Sequence, residues 1–126
     1  MKKEKFSISK RLKSFTYAFN GFKILLKEEH NSRIHGIALL ISVILGFVLK
    51  ISTPEWIGII LSIGLVISLE LLNSAIENLA DYGTTEYNEL VKKTKDLAAA
   101  SVLWSALIAL VIGGVVFIPK IIQLIK

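Results

Sequence analysis

The chain has 126 residues, of which 53% are hydrophobic and only 20% are charged, and its mean hydropathy is +0.63. This length fits one domain, and the apolar composition excludes disorder and nucleic-acid-binding tails, which are poor in apolar residues. The chain has 0 cysteines, so disulfide frameworks, zinc sites and thiol catalysis are also excluded. These properties favour an integral membrane protein. In such a protein the net charge of +5 first raises the question of which side of the bilayer the basic residues occupy.

The first element in chain order is an amphipathic helix over about residues 6–28. Its apolar stripe repeats with helical spacing and consists of Ile8, Leu12, Phe15, Phe19, Phe22 and Leu26. Lysines fall on or beside the opposite face, which is typical of a helix lying in the lipid headgroup region. The alternative is that the stripe packs on another protein helix.

Three largely uncharged runs follow, and they predict transmembrane helices over about residues 31–50, 55–81 and 93–118. The second run is long enough only if its helix continues through Glu70 to about Asp81, where Gly83, Thr84 and Thr85 end it. A soluble bundle is the alternative, but its helices should show polar faces. We therefore predict an all-α membrane protein, with residues 1–126 forming a single membrane domain.

The basic residues predict the orientation. The segment through Arg33 and the 82–96 loop share one side of the membrane and together carry twelve basic residues. The other side has three, which are Lys50, Lys120 and Lys126. This asymmetry predicts a multi-pass protein of the cytoplasmic membrane, with the N-terminus inside and the C-terminus outside.

A narrow polar ridge lies on the second span, where helical periodicity brings five polar side chains onto one face. These residues, the acidic ridge, are Glu70, Asn73, Ser74, Glu77 and Asp81. Measured from Trp56 at the outer boundary, Glu70 lies about 21 Å into a hydrocarbon layer of about 30 Å. Acids at such a depth normally face protein, are paired and serve a function.

Clustered acids repel one another unless cations intervene. Lys95 is one candidate, and a divalent metal is the other, since Mg²⁺ prefers one or two carboxylates with phosphate oxygens and water. Glu28 and Glu29 add carboxylates at the same depth. A buried carboxylate such as Glu70 could accept a proton from a lipid hydroxyl. The spacing alone is equally compatible with a proton or ion pathway.

The ridge and the residues after it resemble the signature of the bacterial diacylglycerol kinase/undecaprenol kinase family. The matching residues read Glu70-Leu-Leu-Asn-Ser-Ala-Ile-Glu77-x-x-x-Asp81, followed by Lys95-Asp96-x-Ala98-Ala99-Ala100. The similarity extends from about Lys10 to about Gly114. It implies a small homotrimeric lipid kinase with active sites shared between subunits at the cytoplasmic interface, which moves the γ-phosphate of ATP, with Mg²⁺, onto a lipid hydroxyl.

The resemblance also implies roles for individual residues. Glu70 matches the general base and Asn73 an asparagine that supports it, while Glu29 and Glu77 match metal-binding carboxylates. The nucleotide-contacting set comprises Lys10, Tyr17, Glu29, Glu77, Glu86, Tyr87, Asn88, Lys95 and Asp96. The residues expected to contact the lipid are Glu70, Ala100, Arg33 and His35.

Two departures from the family pattern bear on these roles. Lys10, followed by Arg11, stands where Gram-negative members carry an arginine. A lysine cannot bind phosphate through two parallel hydrogen bonds as a guanidinium does. His35 stands where some relatives have an acid near the lipid. The resemblance is closer to the Gram-positive branch, so we expect undecaprenol as the acceptor, with diacylglycerol as the alternative.

Overall fold

The computed structural model describes residues 3–83 and 85–126, and within these ranges it contains four helices and no strand. The helices are α1 (Ile8–Glu28), α2 (His30–Val48), α3 (Thr53–Gly83) and α4 (Glu89–Ile125). The helices α2, α3 and α4 are each long and apolar enough to cross a membrane. The predicted all-α fold, with one amphipathic helix before three apolar ones, is confirmed.

The helix α1 carries its apolar stripe outward, and Leu25 is its one buried residue among those described. The helix ends because Glu29 adopts an extended conformation, with φ −112° and ψ 110°. Arg33 then folds back, its Nε donating to the Leu26 carbonyl at 2.6 Å and its Nη2 to the Lys27 carbonyl at 3.0 Å. A cation at this position satisfies free carbonyls and complements the helix dipole. The sharp junction brings Glu28 and Glu29 toward α3.

The turn between α2 and α3 is closed by local hydrogen bonds. Lys50 takes a left-handed conformation with φ 51°, and the Ile51 amide donates to the Gly46 carbonyl at 3.2 Å, as in a Schellman motif. Ser52 and Glu55 then form a capping box, in which the Ser52 amide donates to Glu55 Oε1 at 3.0 Å. Pro54 lies in the first turn of α3, where its missing N–H costs nothing.

The helices α3 and α4 pack antiparallel along most of their length, and an ion pair joins them at each end. Lys95 Nζ lies 2.5 Å from Asp81 Oδ1, and Lys120 Nζ lies 3.2 Å from Glu55 Oε1. At 1.5 Å per residue these pairs are about 38 Å apart along the helix axes, slightly more than the hydrocarbon thickness of about 30 Å. The core between them contains Ile51, Ile59, Val116 and Phe117.

The helix ends differ from the sequence prediction by a few residues. Asn88 caps α4 through its side chain, so this helix begins at Glu89. It also continues past Pro119 to Ile125, because a proline removes one backbone donor and does not always end a helix. Gly83 is the last residue of α3, and Thr84 lies outside the described residues. Large apolar side chains on all three long helices remain exposed, which favours the membrane interpretation over a soluble bundle.

Candidate functional site at one end of the helices

The acidic ridge runs along α3 from a buried end to an exposed end. Glu70 is only 4% exposed and Ser74 only 6%, whereas Glu77 is half-buried and Asp81 is exposed. The gradient arises because α1 and α2 meet α3 beside the ridge, while the C-terminal turns of α3 extend beyond them. The ridge therefore leads from an enclosed carboxylate to charges that water can reach.

The enclosed carboxylate is paired with a histidine. His35 Nδ1, on α2, contacts Glu70 Oε1, and the Glu70 side chain is 5% exposed against 30% for His35. An unpaired carboxylate at this depth would carry a large desolvation cost. The contact explains how α2 and α3 accommodate Glu70 among apolar residues. It also brings together two residues that the resemblance assigned to the lipid end of the site.

Two further carboxyl groups meet at the junction of α1 and α2. Glu29 shares a hydrogen bond with Glu77, and Glu28 and Glu70 lie near enough to add negative potential. Burial, followed by this hydrogen bond and by the neighbouring acids, raises the pKa of Glu29 above its ordinary value. Beside them, Glu28 Oε2 accepts a hydrogen bond from Asn78 Nδ2 at 3.2 Å.

This pair of carboxyl groups fits a magnesium ion. Within residues 3–83 and 85–126 no group of three or more histidine, cysteine or acidic side chains is arranged to hold a metal by itself. Magnesium does not require such a group, because it binds through one or two carboxylates together with phosphate oxygens and water. The carboxyl groups of Glu29 and Glu77 meet at one point and have the hard oxygen atoms that this ion prefers, so the residues present fit the ion.

Asn73 has a buried side-chain oxygen without a partner. Its Oδ1 is shielded from solvent, and none of the described residues donates a hydrogen bond to it. Buried polar atoms are paired in the great majority of cases, so an unpaired one calls for an explanation. A donor that arrives with a ligand, such as a hydroxyl or a bound water, would satisfy Asn73 Oδ1.

The exposed end of the ridge meets the start of α4. Lys95 is paired with Asp81 and also interacts electrostatically with Glu77, while Asp96 accepts a hydrogen bond from Lys92 at 2.6 Å. An open cleft adjoins these charges, and its lining includes Tyr87, Asn88, Lys93, Asp96 and Ala100. Several residues of the predicted nucleotide set therefore lie together here.

Other predicted site residues lie elsewhere within the chain. Lys10 pairs with Glu4 at 3.2 Å near the start of α1, and Tyr17 is exposed on the same helix. Lys10 lies about 27 Å along the helix from Glu28. The guanidinium of Arg33 contacts the end of α1 instead of the ridge. Glu86 lies in the exposed connection between α3 and α4.

Sequence reasoning missed Asn78 as part of this arrangement. Asn78 donates to Glu28 and also to the Ser74 carbonyl at 2.9 Å, so it ties the α1–α2 junction to α3. The sequence offers one signal for this role, since Asn78 directly follows Glu77 and lies four residues after Ser74. That signal indicates a helical polar face, but it does not indicate which neighbouring helix supplies the acceptor.

Apolar spans that end in clustered acids beside a lysine define a membrane protein with a polar site at one end of its helices. Comparison with known proteins specifies the class further, because residues 16–117 match the sequence profile described as prokaryotic diacylglycerol kinase. The chain belongs to the prokaryotic diacylglycerol kinase family, and the resemblance found in its signature is confirmed. It is a lipid kinase of the membrane, that is, a phosphotransferase with an alcohol acceptor.

Individual relatives carry two different names. The undecaprenol kinase of Bacillus subtilis (strain 168) is 39% identical over 114 residues, which cover 90% of this chain and 93% of that protein. The diacylglycerol kinase of Haemophilus influenzae (strain Rd) is 36% identical over 107 residues, 84% of this chain and 91% of the relative. The diacylglycerol kinase of Escherichia coli (strain K12) is 32% identical over 100 residues, which cover 79% of this chain and 82% of that protein.

Proposed function

We propose that this protein is an undecaprenol kinase that transfers the γ-phosphate of ATP to the hydroxyl of undecaprenol with Mg²⁺. The observation that best supports this proposal is the buried carboxylate of Glu70 beside the Glu29–Glu77 pair. This arrangement offers a base for an alcohol next to ligands for a metal–phosphate complex. The Bacillus subtilis relative supports undecaprenol as the acceptor, since it matches over nine-tenths of both chains.

In this mechanism Glu70 accepts the proton of the lipid hydroxyl as the hydroxyl oxygen attacks the γ-phosphate. Asn73 Oδ1 lies one helical turn from Glu70 and is free to accept a hydrogen bond from a bound water. Phosphoryl transfer otherwise requires mainly positioning and charge stabilisation.

Glu29 and Glu77 would hold the magnesium ion, and Lys95 would add a point charge near the phosphates. The ion, when bound, supplies positive charge that stabilises the charge developing on the phosphate oxygens. Tyr87, Asn88 and Asp96 line the cleft beside these groups, which supports their assignment to the nucleotide. Lys10 or Arg11 would contact phosphate from α1.

The lipid tail would lie in an apolar groove that begins at His35. The groove has a volume of about 620 Å³ and runs between α2, α3 and α4. Its walls are almost entirely apolar, and small residues such as Ala106 and Gly113 keep it open. A long hydrocarbon chain could enter this groove while its hydroxyl stays beside Glu70. Ala100 and Arg33 would then lie near the headgroup.

We also propose a homotrimer with active sites shared between subunits. Lys10 and Tyr17 lie far from the Glu29–Glu77 pair within one chain, because α1 projects away from the other helices. A site that uses both groups therefore needs α1 of a neighbouring subunit. The charge asymmetry supports a cytoplasmic position for this site, with the C-terminus outside.

The alternative acceptor is diacylglycerol, which is favoured by the names of the Escherichia coli and Haemophilus influenzae relatives. Both alcohols present a primary hydroxyl and long apolar tails, so the described groove accommodates either. A proton or ion pathway receives less support, because the ridge acids gather at one end of α3 instead of extending through it.

A direct test measures phosphate transfer from radiolabelled ATP to undecaprenol and to diacylglycerol in parallel mixed micelles. We expect transfer that requires Mg²⁺ and a lipid alcohol together, with a higher kcat/KM for undecaprenol. Preference for diacylglycerol would reverse the substrate assignment. ATP hydrolysis without any lipid product would contradict the kinase mechanism.

A further inference from the structure

The contact between His35 and Glu70 links the proposed base to a second titratable group on another helix. Glu70 is 4% exposed, and His35 is the one side chain among the described residues that hydrogen-bonds to it. The same histidine lines the apolar groove where the lipid tail would lie. His35 therefore lies between Glu70, the proposed base, and the groove proposed for the lipid acceptor.

Other charged groups around Glu70 do not provide a donor. Glu29, from the α1–α2 junction, lies close enough to interact with Glu70 electrostatically and has the same sign of charge. Glu77, two turns further along α3, is also acidic. Arg33 is the nearest cation in sequence on α2, but its guanidinium donates to the carbonyls of Leu26 and Lys27. Among these groups, the imidazole of His35 is the one that contacts the Glu70 carboxylate.

We propose that His35 is a positioning residue that donates a hydrogen bond from Nδ1–H to Glu70 Oε1 and holds this carboxylate ready to act as the base. This inference rests on the proposed kinase function. A hydrogen bond to the charged form of an acid favours that form, which counteracts the effect of burial. With Oε1 engaged, Glu70 Oε2 remains to receive the alcohol proton.

The proton balance follows from this arrangement. The alcohol O–H bond breaks as the oxygen bonds to the γ-phosphorus, the bond from that phosphorus to ADP breaks, and the proton passes to Glu70 Oε2. After the products leave, Glu70 releases the proton to water and returns to the ionised state. His35 keeps its Nδ1 proton throughout, so its contribution is to orient and stabilise the carboxylate.

Kinetics of three variants test the proposal. His35→Leu removes the donor, whereas His35→Asn retains a donor near the position of Nδ1, and His30→Asn is a matched control at an exposed histidine. Hydrogen bonds to charged groups of this kind imply a fall in kcat of about 10- to 100-fold for His35→Leu. The KM for the lipid should change less than kcat, and His35→Asn should recover most of the rate.

The pH profile separates positioning from a merely structural role. Loss of the donor makes the ionised carboxylate less stable, so the acidic limb of the kcat profile should move to higher pH in His35→Leu. Wild-type rates in His35→Leu would overturn the proposal. It would equally be overturned if both His35 variants lost activity with an unshifted profile, because the imidazole would then serve another purpose.

Nitrogen-15 NMR of histidine-labelled protein tests the contact without turnover. The chain has two histidines, so the spectrum of His30→Asn assigns the His35 signals. We expect a protonated Nδ1 whose shift changes in Glu70→Gln, and an unprotonated Nδ1 would overturn the inference. Because this readout needs no substrate, it remains valid if neither alcohol is phosphorylated, a result that would refute the proposed function alone.

Discussion

Glu29 and Glu77 share a hydrogen bond although they belong to different parts of the chain, one at the α1–α2 junction and the other on α3. Two carboxyl groups in contact repel when both are ionised, so this arrangement favours retention of a proton between them. A divalent cation can replace that proton. The pair is therefore suited to a metal site that is completed by phosphate.

The metal assignment predicts a selective change in the magnesium requirement. Glu77→Gln and Glu29→Gln each remove a charged ligand, so the Mg²⁺ concentration for half-maximal activity should rise at least tenfold. Glu28→Gln is the matched control, since an amide oxygen can still accept the hydrogen bond from Asn78. Titration of activity with Mg²⁺ at fixed ATP measures the effect. An equal response to all three substitutions would contradict the assignment.

The raised pKa of Glu29 predicts how metal affinity depends on pH. Below this raised value Glu29 holds a proton that Mg²⁺ must displace, and above it the Glu29 carboxylate is ionised and can bind the ion. The apparent Mg²⁺ affinity should therefore increase as the pH rises through the raised pKa of Glu29. In Glu29→Gln this part of the dependence should flatten. A wild-type Mg²⁺ affinity that falls as the pH rises over the same interval would contradict this prediction.

The proposed orientation can be tested by labelling because the chain has 0 cysteines. Thr85→Cys places a thiol in the exposed connection beside the site, and Gln123→Cys places one near the opposite end of α4. In intact cells a membrane-impermeant maleimide should label Gln123→Cys only. In inverted vesicles it should label Thr85→Cys, and the reverse pattern would refute the assigned sidedness.

The close approach of α2 to Trp56 predicts a stability effect at a glycine. A Cβ on Gly46 would come within 2.5 Å of the Trp56 ring, which also packs on Phe47 at a centroid distance of 4.9 Å. Because the ring must shift, Gly46→Ala should destabilise the protein by about 1–3 kcal/mol. Gly64→Ala is the control, since no atom outside its own stretch of helix lies within 4 Å of the added Cβ. Thermal unfolding in detergent should show a lower midpoint for Gly46→Ala alone.

The acidic ridge could be predicted from the sequence because it depends only on the periodicity of one helix. The spacing of Glu70, Glu77 and Asp81 fixes their common face wherever α3 packs. The three apolar helices could be predicted for a similar reason, since length and composition are local properties. The expectation that a proline ends a helix is also local, and it fails at Pro119, where α4 continues.

Contacts between helices could not be predicted in this way. The pairing of His35 with Glu70 depends on the rotation and depth of α2 relative to α3, and the pattern of α2 does not specify either. The resemblance implies a lipid contact for Arg33, and the structure adds that its guanidinium caps α1. That interaction requires the sharp break at Glu29, which apolar periodicity does not reveal.

The most direct test of the lipid kinase mechanism is the rate of phosphate transfer to undecaprenol by Glu70→Gln. Glutamine has nearly the same shape but cannot accept the alcohol proton, and loss of a general base typically lowers the rate by about 10²- to 10⁴-fold. We expect this decrease in kcat with nucleotide binding and thermal midpoint unchanged. Turnover near the wild-type value in the purified variant would contradict the role of Glu70 and the mechanism built on it.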